Sequence, residues 1–244
     1  MSSYRLSFLA LLLLLIVSCK DTKTHTEATE NAATKALIQD SIPDIETIQE
    51  RRARYEAAIP EIDKLEQEEL IPFLTQYGKE NPETRLRITC EFGTIDLELY
   101  KDTPLHRANF IRLVKLGYFN TTFFHRVSPG FVVQGGNSDR TDTAKMRGKI
   151  GSYLIPSEFV SGHTHNRGAL GAAKYAEQNV SKASSPFEFY IVQKKNGSHH
   201  IDRDHTVFGK VTSGMDVIDK INGVEIDDSE WPRKNIPIEI DIVE

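Results

Sequence analysis

The stretch FFHRVSPGFVVQGGN, residues 123–137, sets Arg126, Phe131, Val132 and Gln134 close together in the chain. It reads as two short strands around a Ser-Pro-Gly turn, yet it carries a guanidinium and an amide among Phe, Val and Gly. Such polar groups ordinarily stay wet or paired. Arginine does not deprotonate and presents its donors in a rigid fork, so one held beside apolar surface can meet charge that develops on a bound group. The competing reading is a solvated surface arginine. His125, in the same run, reads as a structural, hydrogen-bonded histidine.

Other chemistries lack their residues. His163, His165, His199, His200 and His205 are not accompanied by a CxxC, an HExxH or a carboxylate at diagnostic spacing. They are expected to be solvated loop histidines, with no metal bound. There is no GxSxG, P-loop or GxGxxG, which leaves hydrolase and nucleotide chemistry without support and implies no cofactor.

The elements that must position Arg126 follow from periodicity. Leu86, Ile88, Cys90 and Phe92 alternate with polar residues, Gly93-Thr94 reads as a turn, and Ile95, Leu97 and Leu99 alternate again, which is a hairpin. Thr103-Pro104 supplies a cap and first-turn proline for a helix carrying Ala108, Ile111 and Val114, stopped by Gly117. A second short helix is expected near Met215 to Ile221. Ile236, Ile238, Ile240 and Ile242 alternate as a half-buried closing strand. Many short strands with two helices suggest a closed β-barrel or sandwich.

The 244 residues carry a net charge of −5, concentrated as −6 (15 acidic, 9 basic) over residues 20–85, and residues 86–244 balance. A balanced domain lacks the concentrated basic face that nucleic acid demands. Residues 1–18 carry Arg5 and then the apolar run Phe8 to Val17, too short to span a bilayer but suited to an export signal. The Ile16-Val17-Ser18-Cys19 ending resembles a bacterial lipobox, which makes Cys19 the lipidation site and the membrane a partner through that anchor. Lys20 follows in place of an aspartate, which points to the outer membrane within the cell envelope. Residues 19–42 read as a flexible tether and 43–82 as a helical segment, with Ile45, Ile48, Tyr55, Ile59, Ile62 and Leu65 at helical spacing. That segment either binds a partner or folds against the main domain, and the second is expected. Cys90, the other cysteine, reads as a buried core thiol and not half of a disulfide.

The opening motif resembles the signature of cyclophilin-type peptidyl-prolyl isomerases, whose FHR, PGF and QGG elements occur here in order. The likeness continues through GTIDLELYKDTP, NFIRLVKLGYF, IPSEF, GALGAAK, ASSPFEFYIV and HTVFGKV, covering essentially all of residues 86–244 in a domain set at 83–244. It implies a mainly β fold, a closed eight-stranded antiparallel barrel capped by two helices and here preceded by the helical segment. It implies binding of proline-containing polypeptides, with Arg126 as catalytic donor and Gln134 as the amide supporting it. Phe131, Val132, Tyr190 and Ile201 fall at the proline pocket and His205 at its wall. Ala173-Lys174 matches the backbone that pairs with substrate, and His200 stands where tryptophan is common. Glu188 replaces the usual glutamine. A carboxylate there either pairs with Arg126 and weakens catalysis, leaving a proline-peptide binding module, or orients it as the amide would.

Overall fold

The hairpin forms where the alternation places it. In the computed structural model, which describes residues 62–175 and 181–243, β1 (Arg85–Cys90) pairs antiparallel with β2 (Gly93–Leu99) in the register Cys90↔Gly93. The turn falls two residues earlier than expected, at Glu91-Phe92. Gly93, at φ +131, is the first residue of β2, where a side chain would be strained. Leu86, Ile88, Ile95, Leu97 and Leu99 all face the core, while Cys90 is half-buried, with burial raising its thiol pKa. The signal, the tether and residues 43–61 of the helical segment lie outside the described residues.

Within residue 62 onward, α1 (Leu70–Glu80) buries Leu70, Leu74 and Gly78, one face at four-residue spacing. It packs on α2 (Pro104–Lys115), and Gly78 permits the approach, since a Cβ there would lie 3.1 Å from the Cβ of Ala108. Arg107 of α2 donates through Nη2 to the carbonyl of Gly78 (2.7 Å) and through Nη1 to that of Asn81 (2.8 Å), satisfying the end of α1. The start of α2 is capped from a distance. Thr103 makes no capping bond; the Glu158 carboxylate instead accepts from the amides of Leu105 (3.0 Å) and His106 (2.9 Å).

The remaining strands are β3 (Phe123–Ser128), β4 (Val132–Asn137), β5 (Ala169–Ala172), β6 (Phe189–Val192), β7 (Val207–Ser213) and β8 (Glu239–Ile242). They form one antiparallel sheet in the order β3-β4-β6-β5-β7-β2-β1-β8. The sheet is not the closed barrel that was expected. Its edge strands β3 and β8 form no ladder with each other; it is the segment just before β8 that meets the start of β3, through the bridge Phe123↔Pro237 and the bonds Phe124 N to Ile236 O and Ile238 N to Thr122 O. Pro237 has no N–H to continue a ladder. Farther along, the edge of β3 is covered by the loop after the last helix, with Val127 N donating to Glu230 O.

α4 (Met215–Asn222) is the second expected helix and α1 falls within the expected helical segment, but α3 (Thr141–Ile150) is one helix more than expected among the described residues. α3 left little trace in the sequence because it contains Gly148 and buries only Thr143, Met146 and Ile150. The core takes one face of the sheet, where Val127, Val133, Ile191 and Leu170 sit in register across β3, β4, β6 and β5. The neighbouring rung must point the other way.

Candidate active site

That neighbouring rung is the site. Arg126 of β3 pairs in register with Gln134 of β4, Gln134 with Tyr190 of β6, Tyr190 with Gly171 of β5, and Gly171 with Val207 of β7. Directly paired residues on neighbouring strands share a face, so five strands present one row of side chains away from the core. Gly171 is the gap in the row. The Tyr190 ring lies over it, and a Cβ there would come within 2.3 Å of the ring. Arg126, Gln134 and Tyr190 of this row, with Phe131, Val132, Ile201, Ala173, Lys174, His200 and His205, line a cavity of about 400 Å³. Every residue expected at the proline pocket therefore meets there. Phe131 packs on His200, ring centroids 5.5 Å apart.

Arg126 is gripped at both ends. Its Nη1 donates to Gln134 Oε1 (3.3 Å), and its Nη2 lies 2.6 Å from Glu230 Oε2. Gln134 is oriented in turn by donating through Nε2 to Glu188 Oε2 (3.0 Å). Glu188 does not touch Arg126 and does not line the cavity. Its other oxygen accepts from Arg147 Nη2 (3.1 Å), and His125 Nε2 lies 3.5 Å away. Burial pushes the Glu188 carboxyl up, but His125 and Arg147 together outweigh it and hold it below the usual carboxylate range. Arg147 comes from α3, lies 5.0 Å over the Phe187 ring, and also donates to Tyr118 and to the carbonyl of Gly136. Neither outcome open for Glu188, pairing with Arg126 or orienting it directly, is what the geometry shows: the carboxylate orients the Gln134 amide instead. Glu188→Gln keeps an acceptor for Gln134, so activity is expected to stay within about threefold. It leaves Arg147 without a counter-charge, at a cost of about 1–2 kcal/mol because the pair is partly solvated. Thermal melting beside an isomerase assay checks both; a large rise in activity would show that the carboxylate draws charge from Arg126 after all.

Behind the cavity lies a connection that the sequence did not announce. His165, expected to be solvated, is fully buried. Asp202 Oδ1 sits 2.6 Å from its Nδ1, and Tyr190 Oη lies 2.8 Å from its Nε2. The carboxylate holds the proton on Nδ1, which leaves Nε2 to accept from the phenol. The one polar atom of Tyr190 is thereby satisfied away from the cavity, and burial raises its pKa far above the ordinary value. His199 Nδ1 shares Asp202 (3.0 Å), and Ser198 N donates to His165 O (2.7 Å), so the same group pins the segment that carries Ile201 and His205. His163 is likewise paired, with Asp102 (2.8 Å). His205 is pushed down to about 4 by burial, with Lys174 acting the same way, so at neutral pH it is an uncharged wall.

The strand-adding backbone is half spent. Ala173 N donates to Glu188 O (3.0 Å) and Ala173 O accepts from Ser185 N (2.8 Å), so a substrate strand is left chiefly with the Lys174 amide and carbonyl. The Lys174 side chain is buried, its Nζ 2.9 Å from Asp204. His125 is buried against Trp231 (centroids 5.7 Å), consistent with a structural role. Sequence reasoning missed Arg147, Glu230, His165 and Asp202 as parts of the site; of these only His165 had drawn attention, with His163, and as a solvated loop histidine.

The sheet order and the clamped arginine at the cavity define the class of β protein to which this chain is to be compared. The family profile described as cyclophilin type peptidyl-prolyl cis-trans isomerase/CLD matches residues 85–241. The chain belongs to that family. It is 36% identical over 144 residues to a peptidyl-prolyl cis-trans isomerase of Acinetobacter baylyi, covering 58% of this chain and 73% of that protein. It is 35% identical over 164 residues to peptidyl-prolyl cis-trans isomerase-like 2 of Rhizopus delemar, covering 66% of this chain but only 29% of that longer protein. A Cryptosporidium parvum cyclophilin type isomerase, crystallised in the presence of the dipeptide Ala-Pro, shares the fold with a TM-score of 0.55 at 24% identity, over 66% of this chain and 99% of that one.

Proposed function

We propose that this chain accelerates cis-trans isomerisation of Xaa-Pro bonds in exported polypeptides, with the proline ring in the cavity and Arg126 facing its imide nitrogen. Amide resonance sets a barrier of roughly 18–20 kcal/mol, which twisting must overcome. As the bond twists, the nitrogen lone pair localises, and a fixed cationic donor favours that state over the planar ground state. The observation carrying this reading is the two-sided grip on Arg126 at the rim of a cavity walled by Phe131, Val132, Tyr190 and Ile201. A rate gain of 10⁴–10⁵ needs about 5.5–7 kcal/mol, within reach of oriented donors and ring clamping without covalent chemistry. Exchange spectroscopy on a short Xaa-Pro peptide, with catalytic amounts of the chain added, tests it. Exchange at the unassisted rate would refute the reading. The weakened binding-module alternative loses the support it took from Glu188, which pairs with Arg147 and not with Arg126; the carboxylate on Arg126 is that of Glu230.

The same proposal includes attachment to the cell envelope through lipid on Cys19, supported by the apolar run and lipobox-like ending in the sequence. Cys19→Ala is expected to move the protein from the membrane to the soluble fraction in its host while leaving specific activity unchanged. Retention in the membrane fraction would count against the anchor.

A further inference from the structure

We propose that Glu230 is a positioning residue for Arg126, delivered by a loop built for that purpose, an inference that rests on the isomerase reading. Nη2 of Arg126 is 2.6 Å from Glu230 Oε2, the shorter of the two contacts that hold the guanidinium. The other Glu230 oxygen accepts from Ser128 Oγ at 2.7 Å, and the backbone carbonyl accepts from Val127 N at 2.9 Å. One residue thus binds three consecutive residues of β3, Arg126, Val127 and Ser128. The pair is a partly exposed one, 36% and 33% accessible, so its role is better sought in geometry than in stability.

The loop shows how the carboxylate is aimed. Glu230 has φ +63, a left-handed conformation that non-glycine residues adopt rarely and that at functional sites is held by its surroundings. Asp227 supplies the hold. Its carboxylate accepts from Ser229 N (2.9 Å), Ser229 Oγ (2.6 Å) and Trp231 N (3.0 Å), and its carbonyl accepts from Glu230 N (3.0 Å). Trp231 then lies on His125, the residue preceding Arg126, and donates through Nε1 to Asn235 (3.0 Å). The turn is anchored on both flanks, and its central side chain points at the guanidinium.

Two acceptors on two different nitrogens fix the plane of the guanidinium, as one could not. Gln134 holds one end from the cavity side and Glu230 the other from the edge of the sheet. The donors left over are directed by this pair of contacts, and a rotated guanidinium would present its charge to the imide nitrogen at the wrong angle.

The test uses the full chain, its Glu230→Ala form and its Glu230→Gln form, each assayed on an Xaa-Pro peptide and examined by ¹⁵N–¹H spectroscopy of the Arg126 guanidinium. Expected are a fall of about tenfold in kcat with KM nearly unchanged for Glu230→Ala, and recovery to within about threefold for Glu230→Gln, which keeps an acceptor oxygen. The Arg126 Nη signals, separate in the unaltered chain, should merge in Glu230→Ala as the group rotates freely. Ser128→Ala, which loosens Glu230 without touching Arg126, should give a smaller loss in the same direction. If Glu230→Ala is as active as the unaltered chain, or more active, or if its guanidinium stays as ordered, Glu230 does not position Arg126. An unaltered chain without activity would sink the isomerase reading instead, and the Nη signals would still decide whether Glu230 orders the guanidinium.

Discussion

Arg126→Ala lowers kcat/KM for a short Xaa-Pro peptide by about 10²–10³-fold, the loss typical of removing one donor aimed at a charge-developing atom. The residue sits at the rim, not in the core, so folding should survive. Val127 and Val133 beside it carry the packing, and the substitution leaves Gln134 still bound to Glu188. Arg126→Lys separates charge from geometry. A lysine keeps the cation but has no fork to span Gln134 and Glu230, so most of the loss should persist. A peptide-exchange measurement at fixed enzyme concentration checks both. Loss in Arg126→Ala of less than about threefold would mean that the cavity alone, by gripping the ring, supplies the catalysis.

The second large effect concerns where the folded domain begins. A chain starting at Arg85, where the family match starts, should melt at least about 10 °C below one starting at Ile59, or fail to stay soluble. Residues 62–84 contribute Leu65, Leu70 and Leu74 to the core, and burial of each is worth about 1.5–3 kcal/mol. Their removal also strips Arg107 of the carbonyls of Gly78, Asn81 and Glu83, and Arg112 of that of Asp63. Both arginines are buried in α2, and a buried charge left unpaired costs about 3–5 kcal/mol. At roughly 2–4 °C per kcal/mol for a domain of this size, the shift is well outside error. Melting points within 3 °C of each other would show that α1 is an ornament on a self-sufficient sheet. Gln67 makes the opposite case: its amide bonds both the N–H and the carbonyl of Leu154, as a neighbouring strand would.

What could be read from the sequence was what the chain does within a few residues of itself. The β1–β2 hairpin, α2, α4 and the isoleucine alternation into β8 all declare themselves by period; the helices form where expected, while the hairpin turn falls two residues early and β8 is confined to Glu239–Ile242. Arg126 and Gln134 were legible for the same reason: they lie on two strands of one hairpin, eight residues apart, and need no distant partner to meet. The resemblance extended this to Tyr190 and Ile201. Contacts across long separations left no such trace. Glu230 reaches Arg126 across more than a hundred residues, Arg147 reaches Glu188 across 41, and Glu158 caps α2 across 52 and 53. His165 looked like a loop residue because nothing nearby in sequence announces Asp202, whose carboxylate makes its burial tolerable. The closed barrel was over-read in the same way, since the position of a proline in the last segment sets whether the seam can zip.

Arg147, Glu188, Arg126 and Glu230 alternate in sign, and Lys174 and Asp204 add one more balanced pair. With His205 uncharged at neutral pH, those six ionised groups sum to zero about the site, and Asp202 behind the cavity and Lys182 beside Asp204 add one charge of each sign. Such a row has a strong field within bonding distance and almost none beyond a Debye length of about 8–10 Å. Unfolded chains would then be drawn to the opening neither by acidity nor by basicity, and their capture rate should change little with ionic strength. Selection falls to the proline itself.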